Sequence, residues 1–200
     1  MAKKLKKHQK KSEPASWAHD MEGRCRSCTL CGLHRNRKQA VLSVGDPSSR
    51  IVFVGEAPGK NEDEKGEPFV GRAGKLLDKM LGAMGLNREQ VYITNVIKCR
   101  PPGNRTPNDK EREICSSNFL NQELANIRPK VIVALGATAA QTILDTDDSI
   151  GKLRGKVHKV EYIDVVATYH PAYLLRQGDD KKVKRKVWED LQLAMERLKI

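Results

Sequence analysis

An α/β sandwich is the fold this sequence predicts: three layers, with a mainly parallel central sheet of about four strands and helices on both faces. Three observations predict it. Short apolar runs at Arg50–Val54, Val91–Thr94 and Lys130–Leu135 read as buried strands, because strands covered on both faces lose the polar alternation of half-exposed ones. Stretches with apolar residues at helical spacing alternate with them. Polar motifs follow three strands directly: Gly55-Glu56-Ala57-Pro58-Gly59 after the first, Asn95 after the second and His170 after the last. Sites in parallel sheets form beyond the carboxyl ends of strands, so these three motifs are expected to meet in one cleft.

The elements follow in order. Residues 1–13 carry Lys3, Lys4, Lys6, Lys7, Lys10 and Lys11, a self-repelling block expected to be a disordered tail. Residues 14–200 are expected to form a single domain. A short helix around Trp17 leads to the first cysteines. Leu76, Leu77, Met80, Leu81 and Met84 mark a helix over 73–84. The segment before it, Asn61-Glu62-Asp63-Glu64-Lys65, is a charge run that reads as a solvated loop. Another helix is expected to start near Asn108, where Glu111 three residues on completes a capping box and Pro107 disfavours helix before it. Ala137–Leu144 is a short helix, Val157–Tyr162 and Val165–Thr168 are strands, and 180–198 is a long helix with Val183, Val187, Leu191, Ala194 and Leu198 on one face.

The formal net charge is +12, which suits a polyanionic partner, nucleic acid first and an anionic membrane second. No apolar run approaches a membrane span, and no hydrophobic segment follows the basic N-terminus as a secretory signal requires. A cytoplasmic protein is expected. Thiols stay reduced there, so clustered cysteines favour metal or redox chemistry over disulfides. The odd count of five argues the same way. Cys28-x-x-Cys31 can grip a metal centre from one turn, while Cys99 and Cys115 flank a Pro/Gly/Arg-rich segment. Both zinc and [4Fe–4S] centres use four cysteines. The long gap inside the second pair is unlike a compact zinc ribbon, which repeats the short Cys-x-x-Cys knuckle. Cys25/Cys28 has the same spacing as Cys28/Cys31, so on spacing alone three front ligands with Cys99 or Cys115 fit as well.

The strings GEAPGKNEDEKGEPFVGRAGKLLD, VYITNVIKCRPPGNRTP and TYHPAYLLR closely resemble the family-4 uracil-DNA glycosylases, the iron–sulfur branch of that superfamily. The resemblance runs from about Cys25 to the C-terminus. It implies that Cys28, Cys31, Cys99 and Cys115 hold a [4Fe–4S] cluster and that Cys25 is the extra thiol. It implies a monofunctional hydrolase that flips uracil from single- or double-stranded DNA and cleaves its N-glycosidic bond, acting as a monomer. A nearby branch links covalently to abasic DNA through a histidine in an inserted Lys-Arg-Arg-Ile-His loop. This chain has KCRPPGNRTP in that region and Ala57 where that branch has glutamine, so ordinary turnover is expected.

The residues fit that chemistry in stated roles. By the resemblance, Phe69 is the platform on which the flipped base stacks. The Asn95 carboxamide can accept from uracil N3–H and donate to O4, whereas cytosine offers the opposite pattern. A neutral His170 can donate to uracil O2 as charge builds on the leaving base. Glu56 is the first candidate to position water or offset charge on the sugar, and Glu62 competes with it. Gly55 and Ala57 bring the backbone close to the base. Arg154 and Gly155, with Leu174, Leu175 and Arg176, are expected to form the DNA-facing rim. The cluster is read as a staple ordering the Cys99–Cys115 loop, since hydrolysis transfers no electrons. Two other classes compete: a non-catalytic iron–sulfur or zinc nucleic-acid-binding module, and a small electron carrier.

Overall fold

A computed structural model describes residues 16–199; the lysine-rich tail expected at 1–13 lies outside the described residues. In chain order the elements are α1 (Ser16–Arg26), β1 (Ser43–Gly45), β2 (Ile51–Gly55), α2 (Lys60–Lys65), α3 (Arg72–Ala83), β3 (Tyr92–Asn95), α4 (Asp109–Cys115), α5 (Asn121–Ile127), β4 (Val131–Leu135), α6 (Ala137–Leu144), α7 (Ile150–Leu153), β5 (Val157–Val160), β6 (Ile163–Thr168), α8 (Pro171–Arg176) and α9 (Lys181–Leu198). A π-turn over Ser116–Leu120 joins α4 to α5.

The sheet has six strands in the order β1-β3-β2-β4-β6-β5. Its four central strands are parallel, and both edge strands run antiparallel. The expectation of about four strands therefore describes the parallel centre and misses β1. Ser43–Gly45 is too short and too polar to announce itself; its pairing with β3 makes it a strand. The strand expected over 157–162 stops at Val160, because Glu161 turns at a positive φ of 51°.

Every residue of β2, β4 and β6 is buried; β2 and β4 do this with apolar runs, while β6 also buries Asp164 and Thr168. Side chains alternate between the two faces. On one face Val52, Val54, Ile132, Ala134, Val165 and Ala167 pack with residues of α1, α5 and α6. On the other, Ile51, Phe53, Val131, Val133 and Val166 pack with α3 and α9. In α9, Val187, Leu191, Ala194 and Leu198 are buried, at the spacing the sequence showed. Each large aliphatic side chain so buried contributes about 1.5–3 kcal/mol. The α4 capping box forms as expected: Asn108 Oδ1 accepts from the Glu111 N–H at 2.9 Å, and Glu111 Oε2 accepts from the Asn108 N–H at 2.9 Å.

The charge run 61–65 is a correction. It forms most of α2, with Glu62 at its third position accepting from the Gly59 N–H at 3.1 Å and Gly66 closing it at a φ of 77°. A carboxylate that satisfies the N-cap N–H, with a glycine at the end, outweighs the repulsion among neighbouring acids.

Candidate active site

The carboxyl ends of β2, β3, β4 and β6 open on one cavity of about 910 Å³. Glu56, Ala57, Glu62, Phe69, Asn95 and His170 all line it. The chain-distant motifs thus meet where the parallel topology directs them. Two glycines make the meeting possible. A Cβ at Gly55 would lie 2.5 Å from Phe69 Cζ and closer still to Asn95 Oδ1. Gly136, at a φ of 96°, would place its Cβ 3.1 Å from that of His170.

Asn95 is 1 % exposed. Among the described residues, Asn95 Oδ1 and Asp164 Oδ1 are the buried side-chain polar atoms without a hydrogen bond. Asp164 Oδ1 has an ammonium, Lys159 Nζ, at 3.0 Å; Asn95 Oδ1 has no hydrogen-bond donor among the described residues. A buried acceptor without a donor is costly and rare. Phe69 adopts a positive φ of 56°, uncommon for a residue with a side chain. Its ring stacks on that of His170, centroids 5.8 Å apart at 29°.

His170 caps α8. Its Nδ1 accepts from the Ala172 N–H at 3.0 Å. That bond leaves the proton on Nε2. Burial, then the positive charge of Arg176, pushes the imidazole down to about 4, against a smaller opposite pull from Glu62. The ring is therefore neutral at neutral pH, with Nε2–H as its donor.

The two carboxylates of the first motif differ. Glu56 Oε2 accepts from the Thr138 hydroxyl. Glu62 is saturated by main chain: besides Gly59, its Oε1 accepts from the Val70 N–H at 2.9 Å and the Gly71 N–H at 2.8 Å. It pins the turn that carries Phe69, and Glu56 is left as the carboxylate with spare acceptor capacity. Sequence reasoning missed Thr138, although it follows the end of β4 and the carboxyl-end rule points there as well.

Two rim expectations are corrected. Arg154 turns inward onto the fully buried Asp190, with Nε 3.0 Å from Oδ2 and Nη2 2.9 Å from Oδ1. The Gly155 N–H and the Thr168 hydroxyl donate to the same carboxylate at 2.9 and 2.7 Å. Leu174 is 5 % exposed and packs in the core with α3 and α9 residues. A buried acid needs a cation, and a helix needs an inward face; both demands outrank display. Leu175, 43 % exposed, and Arg176, which lines the cavity, remain outward.

All five cysteines line a second, small pocket beside Arg37 and Lys98. Cys25 ends up on α1, Cys28 and Cys31 on the loop after it, Cys99 beyond β3 and Cys115 at the end of α4. Arg37 Nη1 donates to Cys99 Sγ at 2.8 Å, and the Lys98 N–H donates to Cys115 Sγ at 3.3 Å. Burial pushes the Cys25 and Cys115 thiols up to about 12, with Lys98 pulling the other way. Among the described residues, no group of three or more His, Cys, Asp or Glu side chains could hold a single metal ion. Five thiols around one pocket, with N–H donors aimed at sulfur, nonetheless form a donor set that fits a thiolate-bound cluster.

A family model of the uracil DNA glycosylase superfamily matches residues 42–192. The chain belongs to that superfamily. It is 52 % identical over 157 residues to a type-4 uracil-DNA glycosylase of Archaeoglobus fulgidus, covering 74 % of this chain and 78 % of the relative. It is 47 % identical over 175 residues to the type-4 uracil-DNA glycosylase of Thermotoga maritima, covering 86 % and 89 %. A type-5 uracil-DNA glycosylase of Pyrobaculum aerophilum is 29 % identical over 194 residues, covering 80 % and 85 %. The type-4 relatives are thus the nearer of the two sets, in accord with the resemblance read from the motifs. No helix among the described residues is long and apolar enough to cross a membrane.

Proposed function

We propose that this superfamily member is a uracil-DNA glycosylase that removes uracil from DNA by hydrolysing its N-glycosidic bond. The observation that carries the reading is the unpartnered, buried Asn95 Oδ1 on a cavity that also holds the donor-only face of a neutral histidine. Uracil supplies the missing donor at N3–H. A flipped base stacks on Phe69, leaving its Watson–Crick edge to Asn95. As the bond breaks, negative charge gathers on uracil O2, and His170 Nε2–H donates to it without giving up the proton. Glu56, held by Thr138, orients water on the sugar or offsets its positive charge. Glu62 positions the Phe69 turn instead of competing for that task. Leu175 and Arg176 face the duplex, and the +12 charge provides non-specific attraction to phosphate.

The same reading places a [4Fe–4S] cluster on Cys28, Cys31, Cys99 and Cys115, in a single-domain cytosolic monomer acting on single- or double-stranded DNA. Bound there, the cluster would tie three separate chain segments together; hydrolysis moves no electron through it. A cluster takes one thiolate at each of four irons, so it suits thiols spread around a pocket better than a single ion does.

The test is single-turnover excision from oligonucleotides bearing uracil or cytosine at one position, with the purified protein's visible spectrum and metal content. Uracil release with an absorbance band at roughly 400 nm is expected. DNA binding without excision would replace the enzyme by a binding module. A colourless protein with one zinc per chain would remove the cluster.

A further inference from the structure

A buried ion pair behind Asn95 has no part in the reaction described above. Lys98 is 1 % exposed, Glu123 is fully buried, and Nζ lies 2.5 Å from Oε2. Desolvating two charges costs so much that an apolar pair of similar volume is often as stable or more so. Stability alone therefore gives no reason for charges here. The hydrogen bonds do. The Lys98 ammonium has three N–H donors, and each has an acceptor: Glu123 Oε2, Thr94 Oγ1 at 2.5 Å and the Asn95 main-chain oxygen at 2.8 Å. The Tyr92 hydroxyl lies 2.9 Å from Glu123 Oε1 and holds the acid from its other side.

The rest of the segment is held as tightly. The Val96 and Ile97 N–H groups donate to the Gly55 and Glu56 carbonyls, both at 3.0 Å. The Lys98 carbonyl accepts from the Val41 N–H at 2.8 Å. The Lys98 N–H reaches Cys115 Sγ, so the residue stands between the cavity and the cysteine pocket. Asn95 ends β3, and the Val96 and Ile97 N–H groups carry the pairing with the β2 segment two residues further. The ammonium adds a side-chain bond to the Asn95 carbonyl at that end.

We propose that Lys98, anchored on Glu123, is the positioning residue of Asn95. It fixes the Asn95 main chain so that the carboxamide reaches the cavity with its oxygen unpaired, ready for a base. This rests on the reading of Asn95 as the group that recognises uracil.

A double-mutant cycle in the full chain tests it. Lys98→Met alone leaves Glu123 buried and unpaired, so the informative variant is Lys98→Met/Glu123→Leu, which replaces the pair by apolar groups. Thermal unfolding and the visible spectrum report on the fold and the cysteine pocket. The single-turnover rate on uracil DNA is expected to fall about tenfold to a hundredfold in this variant, with affinity for uracil-free DNA unchanged. Introduced into Asn95→Ala, the same pair change is expected to cost less than about twofold, because its target is gone. An equal loss in both backgrounds, or no loss in the first, overturns the proposal. Should the apolar pair not fold, Lys98→Gln/Glu123→Gln carries the same cycle and is judged by the same outcomes. An unaltered protein that leaves uracil in place overturns the reading of the whole site, and this inference with it.

Discussion

The cavity and the cysteine pocket lie on either side of Lys98 and are finished in opposite ways. Around the cysteines, sulfur meets donors: Arg37 on Cys99 and the Lys98 main chain on Cys115. In the cavity a carboxamide oxygen is left without a partner, and a histidine is kept neutral with one donor free. Polar groups completed from within hold a structure, whereas a group left incomplete at a cost in stability waits for a ligand. The same contrast separates Glu62 from Glu56, six positions apart in sequence.

The sharpest way to break this contrast is Asn95→Asp. Uracil O4 would meet a carboxylate oxygen in place of the amide donor. Loss of that bond and the added repulsion are expected to cost about 2–4 kcal/mol, tens to hundreds of fold in single-turnover rate. Wild-type rates with the fold intact would mean that the orphaned oxygen does not read the base.

His170 gives a pH signature of about the same size in stability. Its ordinary value is 6.5 and its folded value about 4. Between those values the unfolded chain takes up a proton that the native chain refuses, so stability falls as pH drops through this window and levels below it. The loss amounts to about 3 kcal/mol. Urea unfolding from pH 7 to 4 of the unaltered protein and of His170→Gln checks this; parallel curves would show that His170 is not held neutral. The excision rate should not show a titration of His170 until pH nears 4.

A smaller effect divides the two acids. Glu62→Gln leaves main-chain N–H groups poorly matched and is expected to cost about 1–3 kcal/mol of stability, read as a lower urea midpoint. Glu56→Gln should spare stability and lower the excision rate instead. The reverse pattern would exchange their roles.

The least effect is expected at Cys25. On the proposed cluster, Cys25→Ala is expected to cost about 1 kcal/mol for one buried sulfur and to retain the visible band, while alanine at Cys28, Cys31, Cys99 or Cys115 is expected to lower it. Equal loss at Cys25 would shift the front pair of ligands.

Much of this was legible in the chain. The runs at Ile51–Val54 and Val131–Leu135, each stopped by a glycine, suit strands covered on both faces, and the spacing from Val187 to Leu198 suits an inward helical stripe. The motif positions at strand ends then made Glu56, Asn95 and His170 neighbours before any coordinate was known. These signals are local or follow from parallel topology, so one sequence suffices to read them.

Other features depend on partners distant in the chain. Whether Arg154 displays its charge or buries it turns on Asp190, thirty-six residues away. Ser43–Gly45 is a strand because β3 offers it an edge. Glu62 is spent on the Val70 and Gly71 main chain because the Phe69 turn folds back over α2. The sequence by itself determined which residues carry donors, acceptors and apolar bulk, and at what period. Only the tertiary structure decided which of those groups are satisfied and which are left open, because hydrogen-bond satisfaction belongs to pairs brought together by folding.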